Sequence, residues 1–356
     1  MKQAVREFGS EYHWHTNEAF LTEAGNGLSD ALTYRSGRDA LKAVAQACVG
    51  RWKRVLLPAL CCESMVAPFI GNGISVEFYR LNPDYTADLA DVESKLTTDT
   101  VLLYQPYFGI PPFEKAVLER LRQDYPGVLF LEDRTHDLLI VRKGGFQADV
   151  TVASLRKWTA IPDGGLLWSN SLSVAPAPRD EVFAHIRTQA LMLKSQFLAS
   201  GDLSLKDHFR ELLARASDML DATSQPYAMS PESVSLLKKL DTEKMLRCRQ
   251  ENARCLHRLL KGVCIGGKLS FVTDAPERST LYYPILVDDQ AACQSLLAAR
   301  GVFCPVIWPV PREALGICPL AEHTAAHMLG VPCDHRYTPA DMEYIAGEIV
   351  RVCNEQ

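Results

Sequence analysis

Residues 129–168, LFLEDRTHDLLIVRKGGFQADVTVASLRKWTAIPDGGLLW, decide the fold. Two apolar runs, Val128–Leu131 and Val150–Leu155, have the length and character of buried strands. Each runs out into polar residues: Asp133 and His136 follow the first, Ser154 and Lys157 the second. In open α/β sheets, ligands bind in the crevice beyond the carboxyl ends of the strands. An acid, an imidazole, a hydroxyl and an amine delivered there form a candidate site.

Strands alternate with helices upstream of this stretch. VLLPAL (55–60) reads as a strand, SMVAPFIGNG (64–73) as a short helix, ISVEFYRL (74–81) and TVLLYQPYFG (100–109) as strands, and PPFEKAVLERLRQDYPG (111–127) as a helix with Pro at its start and Gly at its end. The alternation predicts a three-layer α/β/α domain around a mainly parallel sheet with right-handed crossovers. Near the start, TYRSGRDALKAVAQACVG (33–50) opens a helix at Ser36-Gly37-Arg38, where unpaired N–H groups and the helix dipole favour an anion. A plain N-cap is the simpler reading of that turn.

Beyond GGLLWS the chain becomes helix-rich, from about Asp180 to Leu220 and again from Ser230 to Lys261. The last part reads strand LYYPILV (281–287), helix QAACQSLLAARG (290–301), strand VFCPVIWP (302–309) and a terminal helix behind Thr338-Pro339. The expected division is a large domain over 1–225 and a small C-terminal α+β domain with its linking helix over 226–356, the boundary lying at Gln225–Ala228.

Composition narrows the function. With 356 residues, 47% apolar and 23% charged, the chain is an ordinary globular protein larger than one small core serves. A net charge of −5 and the lack of a Lys/Arg cluster argue against nucleic acid. Eleven scattered cysteines without a CxxC spacing read as reduced thiols, not as disulfides or a metal site. No signal-peptide core or membrane-spanning apolar run is seen, so a cytoplasmic protein is expected.

A lysine just past one strand end, an acid at the end of a neighbouring strand and an anion cradle earlier are what pyridoxal phosphate (PLP) needs. Its aldehyde requires an amine, its pyridine nitrogen a carboxylate, and its phosphate amides and hydroxyls. Taken singly, Asp133 is also read as a turn residue, His136 as a buried histidine, Ser154 as a cap and Lys157 as a surface amine beside Trp158. Their order is what joins them.

The motifs SGRDAL, LPALCCES, EDRTH, SLRKW with the following DGG, SPESVSLL and PCDHRYTPADM run through nearly the whole chain. With them the sequence resembles the fold-type-I PLP-dependent aminotransferases, specifically the DegT/StrS-type sugar aminotransferase family. The resemblance implies a PLP-dependent enzyme that moves an amino group from an amino-acid donor to a keto or aldehyde acceptor, such as a nucleotide sugar. It implies phosphate-binding amides at Gly37 and Arg38, a pyridine-nitrogen partner at Asp133, a hydrogen bond near the ring hydroxyl from His136, a phosphate contact at Ser154 and a Schiff base on Lys157. It also implies a homodimer.

The chain departs from the family pattern in three places. Cys62 stands where many members carry an aromatic stacked on the cofactor, leaving Tyr107 or Leu60 to cover the ring. Pro226 and Ala228 flank Tyr227 where an Asn and an Arg are usual. The Ser154–Lys157 spacing is short for the group. Trp308 and Arg336 read as strand packing and a surface cation, with substrate contact as the other option. Two further functions follow from these departures and from the fold's range: a PLP-dependent lyase or decarboxylase, and a catalytically degenerate homologue acting as a binding protein.

Overall fold

The computed structural model describes residues 5–140, 147–261, 269–278 and 281–355. The chain opens with a two-residue strand β1 (Phe8–Gly9) and then enters the central sheet. That sheet is built from β2 (Leu32–Tyr34), β3 (Arg54–Pro58), β4 (Ser75–Tyr79), β5 (Thr100–Tyr104), β6 (Leu129–Asp133), β7 (Val150–Ser154) and β8 (Gly165–Ser169). Their order across the sheet is β2-β8-β7-β6-β5-β3-β4. Neighbours pair in parallel except at β8, which runs against both β7 and β2. This is the mainly parallel α/β sheet expected from the alternation.

Residues β3, β5, β6 and β7 contribute are almost all buried, so both faces of the sheet are covered. The covering helices include α1 (Gly37–Cys48), α2 (Glu63–Ile70), α3 (Leu89–Lys95) and α4 (Lys115–Asp124). Helix α1 is Ala-rich, buries Ala40, Leu41, Val44, Ala45 and Cys48, and is capped by Ser36, whose hydroxyl accepts from the Asp39 N–H at 3.0 Å. Such a cap contributes about 1 kcal/mol. Helix α4 begins later than the prolines suggest. The Pro112 carbonyl accepts from Ala87 N–H at 2.9 Å, which holds that segment as a loop, and Glu114 is the N-cap.

Two long helices follow, α5 (Glu181–Ser200) and α6 (Leu203–Asp221), turning at Gly201, whose φ of 68° suits a glycine C-cap. Helices α7 (Pro231–Lys239) and α8 (Thr242–Lys261) lead to a second sheet of β9 (Leu269–Phe271), β10 (Tyr283–Val287) and β12 (Met328–Val331), with β10 central and antiparallel to both. Its core includes Leu256, Ile285, Leu297, Val331, Ile345 and Ile349, drawing on α8, α9 (Gln290–Ala299) and, beyond α10 (Pro319–His327), the terminal α11 (Pro339–Glu355). Phe8 is part of this same core.

The predicted strand over 302–309 is cut to β11 (Val302–Phe303), which pairs in parallel with β1. Pro305 and Pro309 lack the N–H a ladder needs, and between them Trp308 takes a φ of 35°. That conformation is uncommon for a bulky residue and turns the indole away from a strand position.

Candidate active site

The carboxyl ends of β3, β5, β6 and β7 converge with the N-terminus of α1 around an inner cavity of about 130 Å³. Gly37, Arg38, Asp133, Ser154 and Lys157 all line it, as do Cys62, Gln105, Thr135 and Trp308. Five of the six residues expected at the site therefore share one cavity. His136 lies behind its wall, with its ring 5.0 Å from Trp308 and 5.0 Å from Phe108.

Glycine at 37 is a requirement of close packing. A Cβ there would come within 2.9 Å of the Ser154 Cβ and 3.2 Å of its Cα. The start of α1 thus rests directly on the end of β7. The DGG that follows Lys157 acts in the same region: Gly164 N–H donates to the Arg35 carbonyl at 2.8 Å, and Asp163 accepts from the Ser230 N–H and hydroxyl, both at 2.7 Å.

Thr135 ties the strand ends together. Its N–H donates to the Asp133 carboxylate at 2.9 Å, its hydroxyl accepts from Ser154 N–H at 3.0 Å, and its carbonyl accepts from the Trp158 indole at 2.8 Å. Trp158 is fully buried, and its carbonyl accepts from Arg249 at 2.7 Å. The turn carrying Lys157 is therefore held on both sides. Within EDRTH, Arg134 is spent on a buried ion pair with Asp137, at 2.7 and 3.1 Å.

Burial pushes the Asp133 carboxyl above its ordinary range, while its Thr135 bonds and the Lys157 charge pull the other way. A cationic partner would favour its charged form. Burial, with Lys157 beside it, drives His136 well below the usual imidazole range, so it is neutral at physiological pH.

An outer cavity of about 750 Å³ adjoins the inner one, and Arg156 and Lys157 line both. Its other charged residues are paired. Arg187 grips Glu11 at 3.1 and 3.2 Å, and Arg336 grips Asp334 through two bonds of 2.8 Å. Arg336 also donates to the Glu11 carbonyl at 3.1 Å and covers the Tyr12 ring at 4.2 Å. It is a buried, committed ion pair and not the surface cation its sequence context suggests.

The sheet order, with one reversed strand and a cavity at the carboxyl ends, can be set beside known structures. PseC of Helicobacter pylori, an aminotransferase involved in the biosynthesis of pseudoaminic acid, superposes with a TM-score of 0.67 at 15% identity, covering 99% of this chain and 100% of that one. The chain has the fold of the DegT/StrS-type aminotransferases. The sugar aminotransferase CalS13 of Micromonospora echinospora matches with a TM-score of 0.61 at 16% identity over 100% of both chains. A DegT/DnrJ/EryC1/StrS aminotransferase of Brucella abortus gives 0.59 at 16% identity, over 97% of this chain and 91% of that one. No family model and no curated protein matches the sequence.

Within this aminotransferase fold, the departures noted in the sequence have definite places. Cys62 is the N-cap residue of α2 and lines the inner cavity, its thiol 2.9 Å from the Ser64 hydroxyl. Tyr107 and Leu60 are fully buried, the Tyr107 hydroxyl donating to the Leu60 carbonyl, and neither lines the cavity. The aromatic that does line it is Trp308, with the Lys157 ammonium 5.5 Å from its ring centroid. Around Tyr227, the segment is pinned to the edge of the sheet: Tyr227 C=O accepts from Arg35 N–H at 2.8 Å, and Ala228 N–H donates to the Pro178 carbonyl at 2.7 Å. Thr135, Gln105 and Arg156 were not singled out by sequence reasoning. The Asp-x-Thr spacing is the one signal that pointed to the first.

Proposed function

We propose that the protein is a PLP-dependent aminotransferase that takes an amino group from an amino acid and delivers it to a keto or aldehyde acceptor, a nucleotide-linked sugar being the acceptor class the fold favours. The observation that carries this reading is the shared cavity of Asp133, at the end of β6, and Lys157, on the turn that follows the adjacent parallel strand β7, with the N-terminus of α1 beside them. The residues fit PLP. The wall at Gly37 and Ser154 has no room for a side chain at 37, and among the described residues Gln105 Oε1, Arg38 Nε and Arg156 Nε are buried polar atoms without a hydrogen-bond partner. His136 Nδ1 is a fourth, just behind the wall.

When bound, PLP supplies an aldehyde carbon that carries the amino group and a protonated ring that accepts the electron pair released at the substrate carbon. Lys157 would hold the cofactor covalently, and its freed amine would take the proton from the substrate carbon and return it. Asp133, as a carboxylate, would keep the pyridine nitrogen protonated. Neutral His136 offers one N–H and one acceptor, and the family resemblance assigns it a hydrogen bond near the ring hydroxyl. Gly37, Arg38 and Ser154 would receive the phosphate, on the helix N–H groups of the first two and the hydroxyl of the third. Trp308 would cover the ring in the place left by Cys62.

The family resemblance implies a homodimer, tested by sedimentation velocity across a concentration series. Among the described residues, no helix is long and apolar enough to cross a membrane. The functional test is the half-reaction: the PLP-loaded protein, mixed with an amino acid in the absence of acceptor, is expected to yield one equivalent of keto acid and one of pyridoxamine phosphate. Release of ammonia or carbon dioxide instead would identify a lyase or decarboxylase, and no product with any amino acid would leave only a binding role.

A further inference from the structure

Arg156 is the odd cation of the outer cavity. It lines both cavities, immediately before Lys157, on the single 3-10 turn Leu155–Lys157. Among the described residues no hydrogen bond or ion pair holds it; its Nε is buried and unpartnered, its guanidinium carbon lies 5.8 Å from the centroid of the Phe183 ring, and the carboxylates that act on its charge, Glu11 and Asp39, are each bonded to another arginine, Arg187 and Arg35. The other guanidiniums of the cavity are taken. Arg187 is held by Glu11 and by the Pro162 carbonyl at 3.2 Å, and Arg336 by Asp334 and the Glu11 backbone.

With Glu11–Arg187 and Asp334–Arg336 each neutral as a pair, the charge left in the wall is that of Arg156 and Lys157. Lys157 is assigned to the cofactor. A guanidinium with a buried N–H and no carboxylate bonded to it is costly unless an anion joins it, and its fork of N–H groups matches a carboxylate or phosphate. The cavity is also large enough for a small substrate, whereas the inner one is already claimed.

We infer that Arg156 is the receptor for a substrate carboxylate in the outer cavity, so that the amino-acid donor is seated there by its carboxylate with its amino group toward Lys157. The choice of an amino acid rests on the aminotransferase reading; the carboxylate site itself rests on the unpaired guanidinium. The cofactor phosphate carries the same oxyanion chemistry, and the test separates the two.

Succinate, a non-reactive dicarboxylate, is titrated calorimetrically into the protein with and without PLP, alongside the uncharged diamide succinamide. Wild type is expected to bind succinate and to bind succinamide at least tenfold more weakly. Arg156→Gln is expected to weaken succinate about 10- to 100-fold, the range for losing a charge-assisted hydrogen bond, with the thermal midpoint unchanged. Arg156→Lys should recover part of the affinity, because the charge returns without the fork. PLP and pyridoxal, which lacks the phosphate, should keep their affinity ratio in Arg156→Gln. Equal succinate affinity in wild type and Arg156→Gln, or no succinate binding in wild type, overturns the inference. So does a loss confined to PLP and absent with pyridoxal, which would assign Arg156 to the cofactor phosphate. Failure of PLP to bind wild type would overturn the aminotransferase reading alone, because the succinate difference is read on the PLP-free protein as well.

Discussion

The indole of Trp308 lies 5.0 Å from the imidazole of His136, with the two planes 31° apart, although 172 positions separate them in sequence. The contact brings an aromatic from the C-terminal part of the chain to the cavity at the ends of the parallel strands. A ring stacked on the cofactor contributes about 0.5–1.5 kcal/mol beyond its buried area. Trp308→Ala should therefore raise the dissociation constant for PLP by roughly 2- to 13-fold. Equilibrium titration by absorbance checks this; unchanged affinity would mean that Trp308 packs only against the protein.

Asp133→Asn keeps the shape of the strand end but removes the charge. A partly buried ion pair at about 4 Å is worth about 4 kcal/mol at an effective dielectric constant of 20. If Asp133 holds the pyridine proton, the half-reaction with an amino acid should slow by about 10³-fold, while PLP is still fixed to Lys157 by borohydride. Single-turnover kinetics read the first effect and peptide mapping the second.

Gly37→Ala places a methyl group 2.9 Å from the Ser154 Cβ. Neither neighbour is a flexible side-chain end, so α1 or β7 must shift. Overpacking of this kind costs about 1–3 kcal/mol. The urea midpoint should fall accordingly, and PLP binding should weaken with it. Asp39→Ala, two residues along, should also lower the midpoint, since it removes one of the two carboxylates that hold the buried Arg35, at 2.9 and 3.0 Å, and leaves only Asp180 at 2.6 Å.

His136 and His335 are both buried, and burial drives each well below the usual imidazole range, with Lys157 acting on the first and Arg249 on the second. In the unfolded chain both titrate near pH 6.5. Below that value the unfolded state binds more protons than the folded one, so stability is full above about pH 7 and is lost as pH falls. Each histidine contributes up to about 1.4 kcal/mol per pH unit. Urea midpoints between pH 7 and 5.5 should show this slope, shallower by as much as one proton in His136→Gln. An equal slope in that variant would mean that His136 charges freely in the folded protein.

Much of this site is legible in the sequence because of how parallel strands work. Their apolar runs mark themselves, and the polar residues that end them, Asp133 and Lys157, must lie at one edge of the sheet. Gly37 was marked by its Ser36 cap and by the helix that follows. Thr135 carried only the Asp-x-Thr spacing as a signal, which marks a turn and not the two further bonds it makes to Ser154 and Trp158. The reversed direction of β8 was hidden too, because a buried strand reads alike in either orientation. Trp308 depends on the conformation between two prolines, and Arg336 on Tyr12 and Glu11 more than 320 residues away. Arg156 was overshadowed by the lysine beside it; its significance is the lack of a bonded carboxylate, which only the folded chain reveals.

The most direct test of the central claim is to add PLP to the purified protein, reduce it with borohydride and identify the modified peptide by mass. The account predicts a visible absorption band that borohydride abolishes, with one pyridoxyl group fixed on Lys157 and none in Lys157→Ala. No band, or a label spread over surface lysines with Lys157 untouched, would contradict it.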